Sequence, residues 1–119
     1  MTLWDVLEHL SNPVEALRNL TQFLKPGGHI LLQTPRIGLL SDALGESFEH
    51  YLPIEHIHLF PRETLINCMI PMGYRVTKAM SFGANAPAAK IARPYKSAYD
   101  RLAKLTDNGA TQVLLCSWQ

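Results

Sequence analysis

A helix cannot pass through Lys25-Pro26-Gly27-Gly28. Proline lacks the amide that the hydrogen-bond ladder needs, and the glycine pair permits the left-handed turn that reverses the chain. Upstream, Asn12 can cap a helix with Pro13 at its first position and Glu15 as the reciprocal capping partner. Val14, Leu17, Leu20, Thr21 and Leu24 then recur at helical spacing. Downstream, residues 29–34 read HILLQT, an apolar run that predicts a strand covered on both faces and paired in parallel. Residues 2–7 read TLWDVL and predict the end of an earlier strand. Strand, helix, glycine turn and strand make a βαβ unit, so the sequence predicts an α/β sheet.

Residues 35–60 hold Gly38, Gly45 and Pro53 and gather Glu49, His50, Glu55, His56 and His58 towards their end, which predicts a long connection of the kind that carries function. Pro61 opens a second helix with Leu65, Ile66, Met69 and Ile70 on one face, and Pro71-Met72-Gly73 closes it. A strand over 74–80 follows, then an Ala-, Gly- and Pro-rich loop over 83–94. Tyr95, Ala98, Tyr99, Leu102 and Leu105 predict a short amphipathic helix packed on the sheet edge, with Lys96, Arg101 and Lys104 opposite. Its length and weak basicity argue against a membrane-surface helix. Asp107-Asn108-Gly109 makes a turn, and QVLLCSW over 112–118 predicts a last strand, antiparallel beside the 74–80 strand.

Composition narrows the partners. A chain of 119 residues makes one domain at most, and a formal charge of +1 leaves no basic field for a nucleic acid. No apolar run approaches the roughly 20 residues that cross a bilayer, so the expectation is a cytoplasmic protein without a membrane partner. Cys68 and Cys116 share no short spacing, which suits buried reduced thiols.

The run Trp4-Asp5-Val6-Leu7-Glu8-His9-Leu10, then Asn12-Pro13, Ala16-Leu17, Leu24-Lys25-Pro26-Gly27-Gly28 and Thr34-Pro35, resembles the second half of class I S-adenosylmethionine-dependent methyltransferases. Glu55-His56-Ile57, Leu59-Phe60, Glu63-Thr64-Leu65 and Gly73-Tyr74-Arg75-Val76 continue the likeness in order over residues 2–80, and residues 81–119 match only the pattern of a final antiparallel strand pair. The resemblance implies a single partial Rossmann-like methyltransferase sheet, strands 4 to 7 with their helices, the first three strands being absent. The family's glycine-rich cofactor turn and its acidic ribose-binding residue have no counterpart here, since Gly27-Gly28 ends a helix and enters a strand. The expected strand over 2–7 would lack a neighbour, and its open edge calls for a partner chain or a second copy in a homodimer.

Asp5, Glu8 and His9 form D-x-x-E-H at a strand-to-helix junction, where α/β sheets collect ligands. By the resemblance, Leu3, Trp4 and Asp5 line S-adenosylmethionine, and His9 is a candidate base for a small-molecule acceptor, with O-methylation one expectation. Some O-methyltransferases of this kind carry E-x-x-E-H there and bind a divalent cation, which makes Asp5, Glu8 and His9 candidate metal ligands; the competing reading is that Glu8 and His9 only cap and solvate the next helix. His56 is a second candidate base, and Glu55, His58 and Arg36 are candidate substrate-binding residues. Trp4 reads equally as a core aromatic, and Arg36 as a solvated charge. The functional alternative is a non-catalytic interaction module or truncated remnant that pairs through the open sheet edge.

Overall fold

The computed structural model describes residues 1–83 and 93–119. Four strands form one sheet: β1 (Thr2–Trp4), β2 (His29–Pro35), β3 (Tyr74–Phe82) and β4 (Thr111–Trp118), in the order β1-β2-β4-β3. β1 runs parallel to β2, with Thr2 opposite Leu31 and Trp4 opposite Gln33. β4 is antiparallel to both β2 and β3, so it enters the sheet between two strands that run the same way. This is the sheet expected from the sequence, final antiparallel pair included.

Helix α1 (Pro13–Leu20) opens as the sequence predicts. The Asn12 side chain accepts from the Glu15 amide at 3.1 Å and donates to the Glu15 carboxylate at 2.8 Å. Eight residues are too few for a helix to persist alone in water, so tertiary packing holds it, chiefly the buried Pro13 and Leu17. A single 3-10 turn, Thr21–Phe23, leads to the glycine pair. There Gly27 has φ +76°, and the turn is clamped to the end of β4 by Gly27 N donating to Trp118 O and Trp118 N to Gly28 O.

Helix α3 (Arg62–Met69) turns Leu65 and Met69 inward, and Gly73 ends the following 3-10 turn at φ +87°. The core is one layer between these helices and the sheet: Leu7, Leu17, Ile30, Leu32, Leu65, Met69, Tyr74, Leu114 and Cys116. Burying each such side chain contributes roughly 1.5–3 kcal/mol. Tyr74 keeps its hydroxyl satisfied by donating to Leu17 O at 3.0 Å.

Several expectations need correction. β2 alternates, with Ile30, Leu32 and Thr34 buried and Leu31 and Gln33 only partly so; one face of the sheet is closed, not two. β1 stops at Trp4 because Asp5 takes the left-handed region at φ +49°, and a 3-10 turn, Leu7–His9, replaces the rest of the expected strand. β3 runs on to Phe82, with a register shift between Val76 and Lys78. Residues 35–60 contain a helix, α2 (Leu39–Leu44), started by Ser41 Oγ, which accepts from Gly38 N and donates to Gly38 O. Most of the loop predicted over 83–94 lies outside the described residues.

Helix α4 (Arg93–Leu105) forms as predicted, but its apolar stripe is not packed on the sheet: Tyr95, Tyr99, Leu102 and Leu105 are between 50% and 78% exposed. Among the described side chains of α4, Ala103 is the buried one.

Candidate functional site

The carboxyl ends of β1 and β2 lie side by side, and the chain after each supplies the site. Asp5, just past β1, bonds both ways to Gln33: its amide donates to Gln33 O, and its carboxylate accepts from Gln33 Nε2 at 3.0 Å. The 3-10 turn then carries Glu8 inward and His9 outward. Glu8 is fully buried, so it does not solvate the next helix. Its Oε2 accepts from Thr34 Oγ1 at 3.0 Å, while Oε1 is buried without a hydrogen-bond partner.

Residues 50–58 fold back over this turn. The amides of Ile57 and His58 donate to Glu8 O at 2.8 and 3.1 Å, and His56 is thereby brought beside His9 with ring centroids 5.0 Å apart. Both imidazoles are fixed through Nδ1: His9 Nδ1 reaches Glu55 O at 2.6 Å and His56 Nδ1 reaches His50 O at 2.7 Å. A carbonyl can only accept, so each Nδ1 is the donor, and in the neutral ring Nε2 then offers the lone pair. That arrangement serves a general base or a metal ligand, because the bond behind the ring sets its tautomer and direction. One ligand atom each from Glu8, His9 and His56 lies within 4.8 Å of the others.

His50, at 5.9 Å from His56 and 5.3 Å from the buried Phe48, extends the row of rings. Burial pushes its pKa below the ordinary histidine value, against the pull of Glu49.

The sequence candidates divide as follows. Glu8, His9 and His56 converge. Asp5 is exposed, is held by Gln33 and stands outside that cluster. Glu55 contributes its backbone carbonyl, and its side chain is exposed. His58 turns away, Nε2 lying 3.4 Å from Ser11 O, and stacks on Phe60. Leu3 packs against the core, while Trp4 is 53% exposed at the carboxyl end of β1 and so is not a core aromatic.

Arg36 is part of a network that sequence reasoning missed. Its guanidinium donates to Asp107 O and reaches Ser81 Oγ at 3.3 Å, so it is not a freely solvated charge. Arg62 forks onto both carboxylate oxygens of Asp107, and Ser81 Oγ donates to Oδ1 at 2.8 Å. The network ties the end of β2 to α3, β3 and the turn before β4. The only sequence signal for it was the Asp107-Asn108-Gly109 turn.

An α/β sheet with an antiparallel strand inserted beside its last parallel strand, carrying polar groups at the carboxyl ends of β1 and β2, defines a Rossmann-like domain of the methyltransferase type. The sequence model described as "Methyltransferase domain" matches residues 1–79, and the chain belongs to that family. No curated protein matches the sequence. Among solved structures, the fold is similar to an S-adenosylmethionine-dependent methyltransferase from Thermotoga maritima, described as a possible histamine N-methyltransferase (TM-score 0.66, 16% identity, 99% of this chain and 55% of that one). It is also similar to one from Archaeoglobus fulgidus (TM-score 0.65, 18% identity, 98% and 57%). A third is the Haloferax volcanii methyltransferase solved with its Trm112 activator (TM-score 0.63, 12% identity, 98% and 53%). The chain spans a little over half the length of these structures.

Proposed function

We propose that this chain forms the acceptor-side half of an S-adenosylmethionine-dependent methyltransferase acting on a small molecule. The observation that carries the reading is the convergence of Glu8, His9 and His56 at the carboxyl ends of β1 and β2, where α/β sheets bind ligands. Exposed Trp4 and the backbone around Asp5 offer one wall to the cofactor, and the rest of its cradle falls to residues outside this chain. When bound, the cofactor supplies a methyl carbon already activated by its sulfonium. The protein's part is to orient an acceptor and take its proton.

His9 is the base in this reading. The Glu55 carbonyl holds Nδ1–H, leaving Nε2 to accept a proton from an acceptor hydroxyl, which fits O-methylation. His56, its ring centroid 5.0 Å from that of His9, is a second base candidate. Glu8, with its orphaned, buried Oε1, and the His9 and His56 imidazoles, which offer one ligand atom each within 4.8 Å of one another, also fit a divalent cation; one oxygen and two imidazole nitrogens suit manganese or zinc as well as magnesium. Such an ion would be held by Glu8, His9 and His56 and would polarise the acceptor oxygen.

Two titrations test this. Manganese should bind the chain saturably, and Glu8→Gln, His9→Ala and His56→Ala should each weaken it at least tenfold; binding indifferent to all three substitutions overturns the metal assignment and leaves His9 as base alone. Titration with S-adenosylmethionine and its demethylated product should show saturable binding weakened by Trp4→Ala. No binding to the folded chain at millimolar cofactor means that this half does not make the crevice by itself. The unpaired edge of β1 would then favour the second reading, an interaction module.

A further inference from the structure

Helix α4 presents an apolar stripe to solvent with no group of this chain set over it among the described residues. Tyr95, Tyr99, Leu102 and Leu105 follow one another at helical spacing and are 70%, 50%, 56% and 78% exposed, while Ala103, off that stripe, is the buried contact that fixes α4 to the body. Leu39 of α2, itself 72% exposed, extends the patch across a shallow groove of about 230 Å³ that Tyr99 and Leu102 also line. Arg101 and Lys104 are exposed on other sides of the same helix.

Charge is distributed to match. Residues 90–105 hold five Lys or Arg against one acid, whereas the rest of the chain holds six against nine, so a molecule of formal charge +1 is a basic segment attached to an acidic body. Against the sequence expectation of a weakly basic helix packed on the sheet edge without a membrane partner, the exposed Tyr and Leu stripe with exposed Arg101 and Lys104 on the same helix makes the pattern of a helix lying in a lipid interface, for which length is not the discriminator. Tyrosine suits that depth, with an apolar ring and a wet hydroxyl. A second copy is the poorer occupant, because a two-fold contact would set α4 against α4 and bring like charge to like charge.

We infer that α4, with Leu39 beside it, is a peripheral docking surface for an anionic lipid membrane. No helix among the described residues is long and apolar enough to cross a membrane. The turn after α4 leads into β4 opposite the carboxyl end of β2, with Thr111 facing Pro35. The docked face therefore stands at the same end of the sheet as the Glu8, His9 and His56 cluster.

The test is sedimentation of the full chain with vesicles of phosphatidylcholine alone or mixed with phosphatidylglycerol. Binding should require phosphatidylglycerol and weaken as salt rises. Leu102→Asp should reduce it at least tenfold, and Arg101→Glu with Lys104→Glu should do the same, while Phe23→Asp, at an exposed phenylalanine elsewhere, should leave it unchanged. All four residues changed are exposed, and circular dichroism verifies that each variant folds. Failure to sediment with phosphatidylglycerol vesicles overturns the inference. So does loss of binding as great for Phe23→Asp as for Leu102→Asp, or a concentration-dependent dimer abolished by Leu102→Asp in a protein that ignores vesicles.

Discussion

Asp107 ties the turn before β4 to Arg36, Arg62 of α3 and Ser81 of β3. It sits at φ +54° in the turn after α4 and accepts from Arg62 and Ser81, while its backbone carbonyl takes Arg36. Partial burial alone would raise its pKa; the hydrogen bonds from Arg62 and Ser81 and the charges of Arg62 and Arg36 outweigh this and hold the carboxyl below its ordinary range. A depressed carboxyl stabilises the fold above its unfolded pKa, about 3.9, and that stabilisation is lost as pH falls through the lower folded value. Asp107→Asn should therefore be less stable than the parent at neutral pH, by about 1–3 kcal/mol since Arg62 loses its partner, with the low end favoured by the half-exposed carboxylate. Denaturant midpoints for the two proteins should converge below about pH 4; parallel curves would refute the role. Cys116 gives a second residue-scale prediction. Burial pushes its thiol up to about 11, so only about a thousandth is thiolate at pH 8. Ellman's reagent should label the half-buried Cys68 in the native protein and reach Cys116 only on unfolding.

Elements were legible where their signals were local. The Asn12–Glu15 cap, Pro61 at the start of α3 and the glycines at 27 and 73 each act within a few residues, and each is where the sequence places it. Helix α2 escaped because six residues with Ser41 as their one buried side chain leave no apolar period to detect. The exposure of α4 escaped for a different reason: amphipathicity shows that a helix has an apolar face, not which way the fold turns it. At the site, D-x-x-E-H was visible but its division was not. The positive φ of Asp5 and the return of residues 50–58 decide that His56, 47 positions from His9, replaces Asp5 in the cluster. The junction of β3 and β4 depends on close approach. Gly109 N donates to Ser81 Oγ at 2.9 Å, and a Cβ at Gly109 would run into the Phe82 backbone, which cannot move without parting Phe82 from Thr111. Gly109→Ala should cost about 1–3 kcal/mol, read as a lower denaturant midpoint at unchanged slope. A neutral substitution would show that the two strands are less tightly joined than described.

At the scale of the molecule, the sheet has one closed face, and β1 is one of its two edge strands. Met1 O and Asp5 N bond to β2, and by the alternation of a parallel pair the peptide groups of Thr2 and Trp4 point away from it. No strand pairs there among the described residues. The similar solved structures are nearly twice as long as this chain, so in a domain of that length further strands can occupy the edge. Among the described residues no strand meets the outward peptide groups of Thr2 and Trp4, which lie beside an exposed tryptophan, a template for another copy. Light scattering across a concentration series should show self-association of the purified chain. Thr2→Pro removes an outward amide without touching a bond to β2, and it should shift that association to at least several-fold higher concentration. The Asn12–Glu15 cap and the core stay intact in this variant, so its thermal midpoint at high dilution should match the parent's. A parent chain that remains monomeric at every concentration would mean that the β1 edge is already protected, and a Thr2→Pro chain that associates as the parent does would place the contact on another surface.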